Sequence, residues 1–207
     1  KRIRQEINDS LERLQVDYID IYQVHWPDPM VPFEETAEAL GELYEGDYIR
    51  AIGVSNYYPN QMTAFRKAAP LHFCQPPYNI FEREIEHDIL PYCKKNNITV
   101  LAYGALCRGL LTGKMKPDTE FEGDDLRKTD PKFQQPRYGR YMEAVDKLDK
   151  LAQEKFDRKV IHLAVRWILD KGADIALWGA RHPSQVDPVD EIDGWDLDPE
   201  VLTDIHR

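Results

Sequence analysis

The order of apolar segments in this sequence predicts an α/β fold with parallel strands. Segments typical of helices and of strands alternate along nearly the whole chain, without the turn sequences that join hairpin strands. Such an alternation is characteristic of βαβ units, and about five strands, each followed by a helix, make more than half of an eight-stranded βα barrel. An open, doubly wound sheet is the alternative, but no G-x-G-x-x-G sequence follows any strand.

The first two elements are a helix and an apolar strand. Residues 3–14 are predicted to form an amphipathic helix, because their apolar side chains recur at helical spacing. These side chains are Ile3, Ile7, Leu11 and Leu14. Residues 18–24 are apolar on both faces, which predicts a strand covered on both sides.

The middle of the chain continues the alternation. Gly46 marks the end of one predicted helix and Pro59 the start of the next. The predicted elements are a helix over 32–47, a strand over 50–56, a helix over 59–69, an extended piece over 73–79, a helix over 84–97 and a buried strand over 98–106.

A long polar loop follows, over residues 112–138 of a single predicted domain that spans residues 1–207. It is rich in proline, glycine and charge and shows no sustained periodicity. Loops of this length are usually lids, binding loops or mobile segments. Its cations are suited to phosphate, but a solvated charged loop is the simpler interpretation. They are Arg127, Lys128, Lys132 and Arg137.

The last third of the chain returns to helices and a strand. The predicted elements are helices over 141–156 and 160–172, a strand over 174–180 and a short helix over 182–192. The stretch from Asp187 to Glu200 is strongly acidic, and we expect it to be solvated.

Polar residues stand where the predicted strands end. Each alone has a simpler explanation, such as a core histidine, a helix cap or a turn. In a βα barrel the carboxyl ends of the strands converge on one mouth, so together they predict one ligand site. They are His25, Ser55 with Asn56, Gln75, Tyr103, and Gly179 with Ala180 and Arg181.

At these residues the sequence resembles the aldo-keto reductase family. The likeness rests on "SLERLQVDYIDIYQVHWPD", "IRAIGVSNY", "CQPPYN", "LAYGALCRGLLTGK" and "WGARHPSQVD", which occur in the family's order and spacing. The Gly-Ala-Arg form of the last segment resembles bacterial members grouped with general stress proteins rather than mammalian aldose reductases. The resemblance implies a (β/α)8 TIM barrel, of which this chain would be the C-terminal portion with about the last five units.

The implied activity is NADPH-dependent reduction of aldehydes or ketones to alcohols by hydride transfer, or the reverse oxidation. His25 matches the catalytic histidine, which orients a small carbonyl substrate and favours charge on its oxygen. Trp26 is expected either to form an apolar wall for the substrate or to pack beneath the loop.

The resemblance also implies which residues bind the cofactor. Ser55, Asn56 and Gln75 match residues that hold the nicotinamide carboxamide, and Tyr103 matches the aromatic ring that stacks on the nicotinamide. The pyrophosphate loop contributes Gly104, Ala105, Leu106 and Arg108, with Gly109 and Lys114 close by.

Four residues match positions at the adenosine end: Gly179, Ala180, Arg181 and Gln185. The planar guanidinium of Arg181 suits a 2′-phosphate, which favours NADP over NAD. Two departures weaken this preference. The family often has Lys-Ser where this chain has Gly-Ala, and an adenine-contacting asparagine is replaced by Val189 or a neighbour.

The family's remaining catalytic residues find no match here. Its proton donor is a tyrosine, with a lysine that lowers the tyrosine's pKa and an aspartate that pairs with the lysine, and all three come from the first three strands. We expect the first three βα units to be missing, because a complete barrel typically has about 250 residues. The alternatives are a truncated, inactive product, whose open strand edges would favour self-association, and a cofactor-sensing regulatory subunit.

Composition excludes several other classes. Lys+Arg 27 against Asp+Glu 37 gives a formal net charge of −10, which disfavours nucleic acid as a partner. No apolar run is long enough to cross a bilayer. Three cysteines without a C-x-x-C pair favour a cytoplasmic, reducing setting, and their spacing to His72 and His87 matches no standard metal site.

Overall fold

A computed structural model describes residues 2–205 of the chain, so the end residues 1, 206 and 207 of the predicted domain lie outside the described part. The strands are β1 (Ile19–Val24), β2 (Ile49–Ser55), β3 (Phe73–Gln75), β4 (Thr99–Ala102) and β5 (Ile175–Ala176). The α-helices are α1 (Arg2–Leu14), α2 (Phe33–Glu45), α3 (Pro59–Phe65), α4 (Ile89–Lys95), α5 (Arg137–Phe156), α6 (Val160–Asp170) and α7 (Pro199–Asp204). Short 3-10 helices lie at Glu84–Glu86, Cys107–Thr112, Leu126–Lys128, Pro131–Phe133, Pro183–Gln185 and Asp187–Glu191.

The strands follow one another in chain order across the sheet, from β1 to β5. The pairs β1–β2, β2–β3 and β3–β4 are parallel, and helices connect the strands. After β5, the amide of Leu177 donates to the carbonyl of Ala102 in β4 at 2.8 Å. The predicted parallel α/β arrangement is confirmed.

The chain divides into two compact units. Unit 1 comprises Lys1–Pro77 and Glu84–Leu101, and unit 2 comprises Tyr78–Arg83 and Ala102–Arg207. In unit 1, Ile52 and Val54 of β2 are fully buried together with Ala37 of α2 and with Met62 and Phe65 of α3. In unit 2, α5 and α6 provide most of the core, and the buried ring of Trp167 lies 5.0 Å from that of Tyr78.

The burial of β1 differs from the prediction. A strand covered on both sides was expected, but every residue of β1 except the exposed Asp20 is only partly buried. The strand lies at one end of the sheet order: β2 pairs with one of its edges, and no strand among residues 2–205 pairs with the other.

The acidic stretch 187–200 is also less solvated than predicted. Its charged side chains face water, but Ile192 and Leu197 are each only 6% exposed, and the ring of Trp195 packs 4.9 Å from that of Phe156. Solvation was predicted from the many acidic residues of this stretch, and the apolar residues between them were not considered. Within residues 2–205, no helix combines the length and apolar character needed to span a bilayer.

Candidate active site

In unit 1, the parallel register aligns the ends of the first three strands. Val24 of β1 pairs with Val54 of β2, and Ser55 pairs with Gln75 of β3. Because the strands run in the same direction, His25, Ser55 and Gln75 all stand at carboxyl ends.

Side-chain hydrogen bonds join these strand ends. The Asn56 amide nitrogen Nδ2 donates to the His25 carbonyl at 2.9 Å and lies 3.1 Å from Ser55 Oγ. The buried Ser55 hydroxyl donates to the Gln75 carbonyl at 2.8 Å. Unit 1 therefore brings together His25, Ser55, Asn56 and Gln75, four of the predicted site residues.

His25 itself is exposed, which argues against the simpler explanation of a satisfied core histidine. Its ring stacks on that of Trp26, with centroids 6.4 Å apart and planes at 25°. The Trp26 side chain is 64% exposed, which favours a substrate wall over packing beneath the loop. The turn after it is held by Asp28, whose Oδ1 accepts from the Met30 amide at 2.9 Å.

In unit 2, the end of β4 is fixed by the segment 78–83. The Tyr103 carbonyl accepts from the Tyr78 amide at 3.0 Å, and the fully buried Asn79 donates from Nδ2 to the Gly104 carbonyl at 3.0 Å. Burial raises the pKa of the Tyr103 phenol. Tyr103 is thus a partly buried neutral ring on an anchored turn.

The predicted pyrophosphate loop is a tight turn with left-handed backbone. Cys107, Arg108 and Gly109 have φ of 46°, 52° and 96°, and the Cys107 and Gly109 amides donate to the carbonyls of Gly104 and Leu106, each at 2.8 Å. Ala105 is buried beneath this turn. Burial raises the pKa of the Cys107 thiol to about 12, so the thiol stays neutral.

The predicted adenosine-end residues form a second exposed turn in unit 2. Gly179, Ala180 and Arg181 are exposed. Gln185 has a structural role that the sequence did not indicate: its Oε1 accepts from the amides of Arg181 and His182 at 2.6 and 3.1 Å. Gln185 therefore caps the 3-10 helix Pro183–Gln185 and holds the Arg181 backbone in place.

Arg181 has an acidic neighbour in the long loop. Hydrogen bonds from Arg127 hold the pKa of Asp125 below its ordinary value, and the charge of Arg181 lowers that pKa further. The side chains of Arg127 and Lys132 are only 24% and 19% exposed. For these two cations the expectation of a solvated loop is wrong.

Sequence reasoning missed a set of residues that contact the predicted site in unit 2. Asp130 forms ion pairs with Arg108 and Lys132. Lys132 also pairs with Glu82, and Glu82 accepts a hydrogen bond from Asn79. The Asn79 side chain donates in turn to the Gly104 carbonyl. Of these residues, only Asn79 lies in one of the segments that carry the family resemblance. The pairing of Glu82 with Lys132 could not be predicted, because nothing in the sequence relates two charged residues that are 50 positions apart. Among residues 2–205, no cluster of three His, Cys, Asp or Glu side chains is arranged to hold a metal ion.

With this geometry in place, comparison with known proteins defines the class. The chain belongs to the aldo/keto reductase family, whose sequence pattern matches residues 1–206. The predicted family and its TIM-barrel fold class are confirmed.

Particular relatives lie close in sequence and structure. Aldo-keto reductase YhdN of Bacillus subtilis (strain 168) is 63% identical over 206 residues, 99% of this chain and 62% of that protein. The NADH-specific methylglyoxal reductase of Escherichia coli (strain K12) is 35% identical over 188 residues, 89% of this chain and 57% of that protein. The glycerol dehydrogenase AKR11B4 from Gluconobacter oxydans superimposes with a TM-score of 0.95 at 54% identity, over 99% of this chain and 62% of that one. The chain therefore spans about three fifths of the length of these relatives.

Proposed function

We propose that the protein is an NADPH-dependent oxidoreductase that reduces aldehydes or ketones to alcohols. The observation that carries the proposal is the exposed His25 at the end of β1, with its carbonyl tied to Asn56 and thereby to Ser55 and Gln75. Family membership supports the reaction class.

The residues present suit a nicotinamide dinucleotide. Amide and hydroxyl groups at the ends of β2 and β3 match the donors and acceptors of a carboxamide. In unit 2, Arg108 and Arg181 present cations to the diphosphate and the 2′-phosphate, and Tyr103 offers a flat ring. The bound cofactor would supply the hydride. We propose that residues 1–207 belong to a single aldo-keto reductase domain.

The chemical role of His25 follows from its position and exposure. An imidazole N–H directed at the substrate carbonyl oxygen would orient it and stabilise the negative charge that develops as hydride arrives. Trp26 would provide an apolar wall beside it. The proton for that oxygen is proposed to come from a residue outside these 207, because the family's tyrosine, lysine and aspartate have no match here.

The preference for NADPH over NADH rests on Arg181 alone and is part of the proposal. The E. coli relative is named as NADH-specific, so family membership does not fix the choice. A cytoplasmic location is also proposed, because all three cysteines are buried free thiols, as expected in a reducing compartment.

The test is NADPH-dependent reduction of 4-nitrobenzaldehyde by the purified full-length protein. His25→Asn should lower kcat by about 10²-fold or more, because the shorter asparagine side chain cannot place its N–H donor at the developing oxyanion. The dissociation constant for NADPH should change less than about twofold, since the side chain is assigned to the substrate.

The matched control is His87→Asn, which alters another exposed histidine of unit 1. It should leave kcat unchanged. An active wild type whose kcat survives His25→Asn would remove His25 from the mechanism, and a wild type inactive towards aldehydes and ketones would contradict the proposed reaction.

A further inference from the structure

Asp130 is a buried carboxylate at the centre of a charged network in unit 2. It is 7% exposed, accepts from the Lys132 amide at 2.9 Å, and pairs with Arg108 Nη1 at 2.9 Å and Lys132 Nζ at 3.2 Å. Burial favours the neutral acid, but the bonds from Lys132 and the charge of Arg108 outweigh it, so the pKa of Asp130 lies below its ordinary value.

The network continues from Asp130 to the turn after β4. Lys132 Nζ contacts Glu82 Oε1 at 2.8 Å, and Glu82 Oε2 accepts from Asn79 Nδ2 at 2.6 Å. The same Asn79 nitrogen donates to the Gly104 carbonyl at 3.0 Å. One end of the network is therefore Arg108 and the other is Gly104, which adjoins Tyr103.

Both ends are residues assigned above to the cofactor. The Arg108 side chain is 49% exposed, while the side chain of its partner Asp130 is buried. A buried, backbone-anchored carboxylate thus holds one edge of a guanidinium that is about half exposed. Fixing a long, flexible side chain in advance removes the ordering cost that ligand binding would otherwise carry.

We propose that Asp130 and Lys132 are positioning residues of the cofactor site. Asp130 holds Arg108 in place for the diphosphate, and Lys132, through Glu82 and Asn79, holds the Gly104 turn and the adjoining Tyr103. This inference rests on the proposed function. It makes the segment 125–133 a structural part of the binding site rather than a solvated loop.

The test is a double-mutant cycle on the dissociation constant for NADPH in the full-length protein. Asp130→Asn keeps an oxygen for the Lys132 amide and removes the charge that faces Arg108. It should weaken NADPH binding at least about tenfold, as expected for a lost charged hydrogen bond. In an Arg108→Gln background, the same substitution should weaken binding much less, because only the ion pair of Asp130 with Lys132 is then lost.

The cycle separates positioning from a merely structural role. If Asp130 only stabilised the loop, its substitution would weaken binding equally in both backgrounds, and the proposal would be overturned. An unchanged affinity in Asp130→Asn would also overturn it. The matched control, Asp124→Asn, removes an exposed acid of the same loop and should leave the affinity unchanged.

A second variant decides the matter if Asp130→Asn does not fold. Glu82→Gln removes the charge that holds Lys132 at a partly exposed position, and it should weaken NADPH binding by about threefold or more. No change in this variant would contradict the link to Gly104. A wild type that binds neither NADPH nor NADH would instead refute the proposed function, and this inference with it.

Discussion

Asn56 shows how one residue organises the candidate site. Its φ of 62° lies in the left-handed region, which asparagine tolerates better than most residues because its short polar side chain can bond locally. That side chain donates to the His25 carbonyl and approaches Ser55. The residue that begins the loop after β2 therefore also fixes the end of β1.

The buried His162 gives a prediction about pH. Its ring is 1% exposed and its Nδ1 accepts from the Lys159 amide at 3.2 Å. Burial lowers the pKa of His162 below 6.5, although Glu191 opposes the shift. The unfolded chain then binds the proton more readily, so folding stability should be lost as pH falls below about 6.5.

The measurement is the urea midpoint at pH 7.5 and pH 5.5, in wild type and His162→Gln. Glutamine at this position of a helix can accept the same amide bond but does not titrate. The wild type should therefore lose more stability on acidification than the variant. His87→Gln, at an exposed site, should behave like wild type, and equal losses in all three proteins would contradict the account.

At the scale of single residues, the sequence predicted which polar residues stand at the strand ends better than it predicted which residues they contact. The polar residues at strand ends were visible because each interrupts an apolar run. The roles of Gln185 as a cap and of Asp130 as a buried partner were not visible, because both depend on which residues the loops bring together.

Among the secondary-structure elements, the acidic stretch 187–200 after β5 contains buried apolar side chains that its charged composition does not indicate. Leu197 lies between acidic residues, yet it is buried, and its amide donates to Asp170 Oδ2 of α6 at 2.8 Å. The packing of this segment against α6 should therefore contribute measurably to the stability of unit 2.

Leu197→Ala should lower the free energy of unfolding by about 2–5 kcal/mol, because it removes a buried side chain and leaves a cavity. The matched control is Leu126→Ala, whose side chain is 68% exposed and which should change stability by less than about 0.5 kcal/mol. Urea or thermal unfolding measures both. Similar midpoints for the two variants would show that the segment is not packed as described.

Most element positions followed from periodicity, and the differences have local causes. The helix predicted over 84–97 divides because Asp88 caps the amide of Ile89, so α4 begins there. The helix α5 begins at Arg137 rather than 141, within the polar sequence assigned to the loop. That loop also contains two 3-10 helices, each capped by an aspartate, Asp125 and Asp130. Short capped turns of this kind leave no periodic signal.

For the whole molecule, the fold class was predictable because alternating helices and strands leave few arrangements. The substrate was not, since specificity depends on loops, and the long loop carries no motif that names a ligand. Self-association of two copies through unpaired strand edges stays a prediction. The central claim is the proposal that this protein binds a nicotinamide dinucleotide.

The most direct test is a titration with NADPH, followed by tryptophan fluorescence, in the full-length wild type, Gln75→Met and Arg181→Ala. The first variant lies in unit 1 and the second in unit 2. We expect saturable NADPH binding in the wild type and weaker NADPH binding in both variants, with Arg181→Ala weakening NADPH much more than NADH. Absence of saturable binding in the wild type, or an unchanged dissociation constant for NADPH in either variant, would contradict this claim.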